Sequence, residues 1–202
     1  MSVRLAHPLY VIRHGETDWN REKRFQGQTD IPLNDLGRTQ ARTNGETLSR
    51  LGVGFDAHVF ISSPLSRAAE TMHIARAAMG LPAGDFTFDD RLKEVSYGDW
   101  ESHTLAELKA AIPDEVKRRS RDKWRYTPPN GESYAQLCTR VEDFLGGLDK
   151  PAVVATHGGV LRALFHLFEG VAGPEAAIRA VPQDRVYAVI DGRGDWLDEL
   201  SG

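Results

Sequence analysis

Leu9-Tyr10-Val11-Ile12-Arg13-His14-Gly15-Glu16-Thr17-Asp18-Trp19-Asn20 is the stretch on which the fold turns. Its first four residues form a short apolar run rich in β-branched and aromatic side chains, the pattern of a buried strand. The run ends in an arginine, a histidine and a glycine. Ligands of open α/β sheets gather at the carboxyl ends of strands. Here that edge receives a fixed positive charge, a nucleophile or base, and room for close backbone approach. Such groups suit a phosphate.

Outward from this strand, helical and strand signals alternate along the whole chain, so the expected architecture is a three-layer α/β/α sandwich with a mostly parallel central sheet. Phe25 to Leu36 reads as a loop, followed by a helix to about Leu51 that closes at Gly52. His58 to Ile61 reads as a strand, Ser66 onward as a helix stopped by Gly80-Leu81-Pro82, and Phe86 to Phe88 as a third strand. Thr104 with Glu107, and Ser133 with Gln136, have capping-box spacing and mark helix starts. From Tyr134 to Leu148 apolar residues recur at helical spacing, a core-facing stripe. Ala152 to Ala155 is another buried strand, a helix runs on to Phe168, and Val186 to Ile190 is the last strand. No linker or low-complexity tract divides residues 1–202, which are expected to form a single domain.

An apolar strand followed by His-Gly occurs twice, at His14-Gly15 and at His157-Gly158. A lone histidine at a strand end is ordinarily a satisfied polar residue; two in matched contexts, on neighbouring parallel strands, would meet at one edge. Gly158-Gly159 opening a helix adds backbone N–H groups and a positive dipole end. Arg67, at the strand–helix junction Ser62-Ser63-Pro64-Leu65-Ser66-Arg67, would sit in a first helical turn, where a cation is poorly matched unless an anion is near. Glu94 follows the third strand, where it could donate a proton to a leaving oxygen. Glu101 reads as an outward loop carboxylate.

Composition limits the partners. The 202 residues carry a net charge of −4, which argues against nucleic acid or anionic membranes, so attraction for an anion must be local. The single Cys138 cannot form an intramolecular disulfide and reads as a small buried side chain in a reducing compartment. No signal-like segment or long uninterrupted apolar stretch is present, and a cytoplasmic protein is expected. Lys117, Arg118, Arg119, Arg121, Lys123 and Arg125 form a basic run that reads first as a solvated helix face, or, if folded over the pocket, as a site for a second anionic group.

Four segments, in order, resemble the histidine phosphatase superfamily with its phosphoglycerate mutase-like fold, in its broad phosphatase branch. They are Arg13 to Asn20; Ser63-Pro64-Leu65-Ser66-Arg67-Ala68-Ala69-Glu70-Thr71; Leu92-Lys93-Glu94 with Gly98-Asp99-Trp100-Glu101; and Thr156-His157-Gly158-Gly159. The resemblance implies that His14 is phosphorylated and that Arg13, Asn20, Arg67 and His157 clamp the phosphate. Gln26, Gly27 and Gly158 join the substrate-binding set, and Glu94 is the proton donor. It implies a phosphomonoester hydrolase acting on a small-molecule phosphomonoester, with no cofactor and no metal site, and with a homodimer left open. The chemistry is consistent, since arginines, a second histidine and helix-start amides can stabilise a transferring phosphoryl group.

Three alternatives stand beside this reading. Glu70 and His73, three apart on a helix, could share a metal, although no His-x-x-x-His pair or Cys cluster accompanies them. A cofactor-dependent phosphoglycerate mutase is disfavoured because Gln28 and Val95 stand where those mutases tend to carry tryptophan and arginine. Ser102 stands where many relatives have glycine. A catalytically weak phosphate- or partner-binding relative would be expected to lack one of His14, Arg67, Glu94 or His157, and all are present.

Overall fold

The structure, a computed structural model, describes residues 5–198; the ends of the expected 1–202 unit, residues 1–4 and 199–202, lie outside it. Strand β1 (Leu9–Arg13) pairs in parallel with β4 (Ala152–Thr156), Arg13 lying opposite Thr156. On one flank β4 pairs in parallel with β2 (Val59–Ser62), which carries the two-residue β3 (Thr87–Phe88). On the other, β5 (Val186–Ile190) runs antiparallel to β1 and β6 (Arg193–Trp196) antiparallel to β5. The order is β3-β2-β4-β1-β5-β6, a mostly parallel sheet.

Strand β6 extends the sheet beyond the expected last strand. It has no apolar run; pairing with β5 makes it a strand, across a two-residue turn in which Asp191 and Gly192 have φ of 52° and 76°. Two left-handed residues are what a tight hairpin requires, and Asp-Gly was the available signal.

Alternation along the strands builds the layers. Leu9 and Val11 enter a core with α6 (Tyr134–Gly146) and α7 (Gly158–Phe168). Tyr10 and Ile12 point the other way, into a core with α2 (Asp35–Arg50) and α3 (Ser66–Ala78). Helices therefore cover both faces, giving the α/β/α sandwich. Asn34 accepts from the Gly37 amide at 2.9 Å and starts α2 inside the segment expected to be loop. Both capping boxes form: Thr104 and Glu107 exchange bonds of 3.2 and 2.7 Å at the start of α4 (Leu105–Ala111), and Ser133 and Gln136 exchange bonds of 3.2 and 2.8 Å at the start of α6. Each such cap contributes about 1 kcal/mol.

Two helices escaped the sequence reading, α1 (Asp18–Arg21) and α8 (Gly173–Ala176), while the first part of the basic run does lie on a helix, α5 (Pro113–Arg121). The basic run is split between two environments. Lys117, Arg118, Arg121 and Arg125 are exposed, as a solvated face should be. Arg119 and Lys123 are half-buried: the Arg119 guanidinium lies 5.3 Å from the Phe25 ring, and Lys123 donates to the Ala177 carbonyl. Ser102 sits at φ 71°, a left-handed position usually given to glycine. Cys138 is buried, and burial beside Glu142 pushes its thiol up to about 12. Among the described residues no helix is long and apolar enough to cross a membrane.

Candidate active site

Register brings the two histidines together. Because Arg13 lies opposite Thr156, His14 and His157 leave adjacent parallel strands at the same edge, with the His14 amide donating to the Thr156 carbonyl at 2.8 Å. Their ring centroids are 5.1 Å apart. One cavity of about 120 Å³ is lined by Arg13, His14, Asn20, Gln26, Gly27, Arg67, Glu94 and Gly158, all expected from sequence, together with Arg24, Phe25, Tyr97 and Arg162, which were not. His157 stands beside it against His14.

The His14 ring is oriented by its own chain. Its Nδ1 lies 2.7 Å from the Gly15 carbonyl, which can only accept, so Nδ1 carries the proton and Nε2 keeps its lone pair. Burial, then the charges of Arg67 and Arg13, hold this imidazole well below its ordinary pKa and therefore neutral. His157 is held neutral the same way, first by burial and then by Arg67. Its Nε2 meets Ser63 Oγ at 2.8 Å, while its buried Nδ1 has no partner among the described residues.

The guanidiniums are satisfied by carbonyls and not by carboxylates. Arg13 donates to the Val181 carbonyl at 2.5 Å, and Arg67 to those of Gly27 and Thr29 at 2.7 and 2.8 Å. The Nε of each is buried without a partner among the described residues. Unpaired donors of this kind are what an incoming anion would satisfy. Burial pulls Arg13 down to about 10, with Glu94 opposing, so it stays cationic at neutral pH. The amide oxygen of Asn20 accepts from Thr17 and from Gln183, leaving the NH2 end for an anion. Gln26 is buried, accepting from the Thr17 hydroxyl at 2.9 Å.

Glu94 reaches the site from a loop pinned on three sides. Thr156 Oγ donates to the Leu92 carbonyl, and Arg140 and Gln28 both donate to the Glu94 carbonyl at 3.0 and 3.1 Å. Its Oε1 accepts from the Val95 and Gly159 amides at 2.9 and 2.8 Å. A Cβ on residue 159 would fall 2.1 Å from that oxygen, so the second glycine of Gly158-Gly159 admits the carboxylate to the helix N-terminus.

Several expectations need correction or addition. Glu101 is not an outward carboxylate; it is half-buried and accepts four hydrogen bonds from residues 28, 29 and 97. Val95, 1% exposed, packs in the core. Glu70 accepts from Arg38 at 2.7 Å and His73 meets the Ala83 carbonyl at 3.0 Å, so each has another partner. Arg162 and Gln183 could have been suspected only from position, Arg162 lying one turn into the helix that begins at Gly158; Gln183 belongs to a segment with no motif.

Known proteins resemble this chain along most of its length. A match to the histidine phosphatase superfamily (branch 1) covers residues 9–195. A glucosyl-3-phosphoglycerate phosphatase of Mycolicibacterium vanbaalenii is 33% identical over 96% of this chain and 84% of that protein. A 2,3-bisphosphoglycerate-dependent phosphoglycerate mutase of Methylocella silvestris is 34% identical over 80% of this chain and 81% of that protein. Among solved structures, a mycobacterial glucosyl-3-phosphoglycerate phosphatase in complex with VO3 superposes with a TM-score of 0.75 at 29% identity, covering 95% of this chain and 98% of that one. With the four motifs meeting at one sheet edge and the match running through all of them, the chain belongs to the histidine phosphatase superfamily and is an enzyme of it.

Proposed function

We propose that this enzyme hydrolyses phosphomonoesters without a metal, through a phosphohistidine at His14. The observation that carries the proposal is the His14 Nε2 lone pair, fixed by the Nδ1 bond to Gly15 and facing a cavity walled by Arg13 and Arg67. The Nε2 lone pair attacks phosphorus in line while the ester P–O bond breaks, and protonated Glu94 gives its proton to the departing oxygen. The two guanidiniums, Asn20 and His157 hold the equatorial oxygens. Glu94, now a carboxylate, takes a proton from water, whose oxygen attacks phosphorus and releases phosphate and neutral His14.

The preferred ester carries a second anion close to the phosphate. Of the arginines lining the cavity, Arg24 is paired with Glu22 and Glu107. Among the described residues Arg13, Arg67 and Arg162 have no carboxylate partner, Arg162 donating to the Arg179 carbonyl and the Tyr134 hydroxyl at 3.0 and 3.4 Å. A phosphate dianion matches two of these charges, which leaves Arg162. Lys123, pulled down to about 7 by burial and by Arg162 and Arg119, lies in the same cationic field. Two relatives named above act, by name, on phosphoglycerates, which join a phosphate to a carboxylate.

The test combines trapping and substrate choice. Acid-labile, alkali-stable label should accumulate on wild type quenched during turnover and be absent from His14→Ala. 3-Phosphoglycerate should be cleaved with higher kcat/KM than glycerol 3-phosphate, with free phosphate and not 2-phosphoglycerate as the product. Activity surviving His14→Ala, or abolished by EDTA and restored by a divalent metal, overturns the mechanism; isomerised product in the presence of 2,3-bisphosphoglycerate favours a mutase.

A further inference from the structure

Arg67 is completely buried, and it lies in the first turn of α3, where the helix dipole opposes a cation. No carboxylate lies within ion-pair distance of it among the described residues; its two terminal nitrogens donate to the Gly27 and Thr29 carbonyls. The aim of this guanidinium is therefore set by two peptide groups of an irregular turn. The turn's own backbone bond is the one from the Thr29 amide to the Gln26 carbonyl at 3.1 Å, outside any sheet or helix, so holding the charged group in place needs further contacts.

Glu101 supplies them. Its Oε1 accepts from the Gln28 amide at 3.0 Å and the Tyr97 amide at 3.1 Å, and its Oε2 from the Thr29 amide at 2.9 Å and the Thr29 hydroxyl at 2.6 Å. The turn is thus gripped from both sides, N–H groups by a carboxylate and carbonyls by a guanidinium, and the Gly27–Gln28 peptide is held at both ends, its carbonyl by Arg67 and its N–H by Glu101, so that this dipole lies along the field between the two charges. Gly27 has φ 53°, and a Cβ there would fall 1.9 Å from Glu101 Oε1, so the turn is shaped to admit this carboxylate. At the far end Asp30 accepts from the Ser66 amide and hydroxyl, both at 2.8 Å, and fastens the turn to the start of α3.

We propose that Glu101 is a positioning residue that aims Arg67 at the transferring phosphate through the 27–29 turn. The proposal rests on reading the cavity as a phosphoryl-transfer site. Glu101 also opposes the effect of burial, which lowers the Arg67 pKa, alongside Glu94 and Asp30. The Tyr97 contact links the same carboxylate to the segment that carries Glu94, so a route through proton donation must be separated from the route through Arg67.

Glu101→Gln keeps the shape but offers one acceptor oxygen where two were used. Orthovanadate inhibition and inorganic phosphate binding by calorimetry should both weaken by about 10- to 100-fold, the range typical of lost outer-shell partners. Turnover of p-nitrophenyl phosphate and of glycerol 3-phosphate should fall by the same factor as each other. In an Arg67→Ala background the added loss on p-nitrophenyl phosphate should shrink to less than about 3-fold, because the group through which Glu101 acts is already gone. Thr29→Val, which deletes only the hydroxyl bond, should give a smaller loss of the same pattern and carries the test if Glu101→Gln fails to fold. Unchanged anion affinity in a folded variant, a full additional loss in the Arg67→Ala background, or a loss confined to the alkyl ester each overturns the proposal. Wild type that neither binds phosphate nor cleaves any ester would instead overturn the reading of the cavity, and that result appears before any variant is made.

Discussion

At the scale of single residues, the site separates a nucleophile from an acid by environment. His14 is neutral because it is buried between two arginines, and its free nitrogen is defined by one bond to a carbonyl. Glu94 is held by two amides at one oxygen, which leaves the other for the substrate side. A leaving-group comparison isolates its role. An alkoxide leaves poorly without a proton and nitrophenolate readily, so Glu94→Gln should slow phosphorylation by glycerol 3-phosphate about 10²- to 10⁴-fold, but the nitrophenol burst from p-nitrophenyl phosphate by less than about tenfold. Rapid-quench and stopped-flow measurements of the first step read both, since loss of the base also slows the second step. Equal losses for the two esters would remove Glu94 from the role of donor.

At the scale of elements, the N-terminus of α7 works only because residue 159 has no side chain. The Cβ of Gly159→Ala would meet the carboxylate of Glu94 and, at 3.0 Å, the Cδ2 methyl of Leu137, both side-chain ends and not a backbone wall, so the carboxylate moves and the helix survives. Stability should stay within about 1 kcal/mol of wild type in urea unfolding. Activity on alkyl esters should fall towards that of Glu94→Gln. A variant that unfolds, or one that keeps full activity, would contradict this division. The same element shows what sequence can and cannot reveal. The strands ending in His14 and His157 were legible because buried parallel strands are apolar runs and the histidines follow them directly. Strand β6 was not, because Arg193-Gly194-Asp195-Trp196 is a strand only by pairing with β5. Arg67, Glu94 and Glu101 could be located by motif, whereas the contacts through which Glu101, Arg140 and Gln183 act were hidden. Glu101, Arg140 and Gln183 lie 34, 46 and 169 residues from a group they hold, as in the Arg67–Glu101 relay, Arg140 to Glu94 and Gln183 to His14. No local pattern records such distances; they come from chain crossing.

At the scale of the molecule, a protein of net charge −4 concentrates unpaired cations at one sheet edge and keeps two histidines neutral among them. That arrangement sets a pH dependence of stability. His14 and His157 have folded-state pKa values well below the ordinary 6.5, and His58, half-buried against Tyr10 and Phe55, is lowered as well. Below about pH 6.5 the unfolded chain therefore binds protons that the folded chain refuses, and stability present above that pH is lost as it falls. Each such proton contributes a slope of about 1.4 kcal/mol per pH unit. The carboxylates whose pKa values are lowered, Asp89, Glu107 and Asp198, act in a more acidic window, so the histidine contribution is read between about pH 6.5 and 5. Urea unfolding across this range should show falling stability in wild type and a visibly shallower slope in His14→Gln and in His157→Gln. Over the same range the neutral His14 should keep its nucleophilicity, so kcat should not decline with an apparent pKa near 6.5. A stability that is flat from pH 7.5 to 5, or a kcat that titrates at the ordinary histidine pKa, would mean that these imidazoles are not held neutral by burial and by the arginines around them.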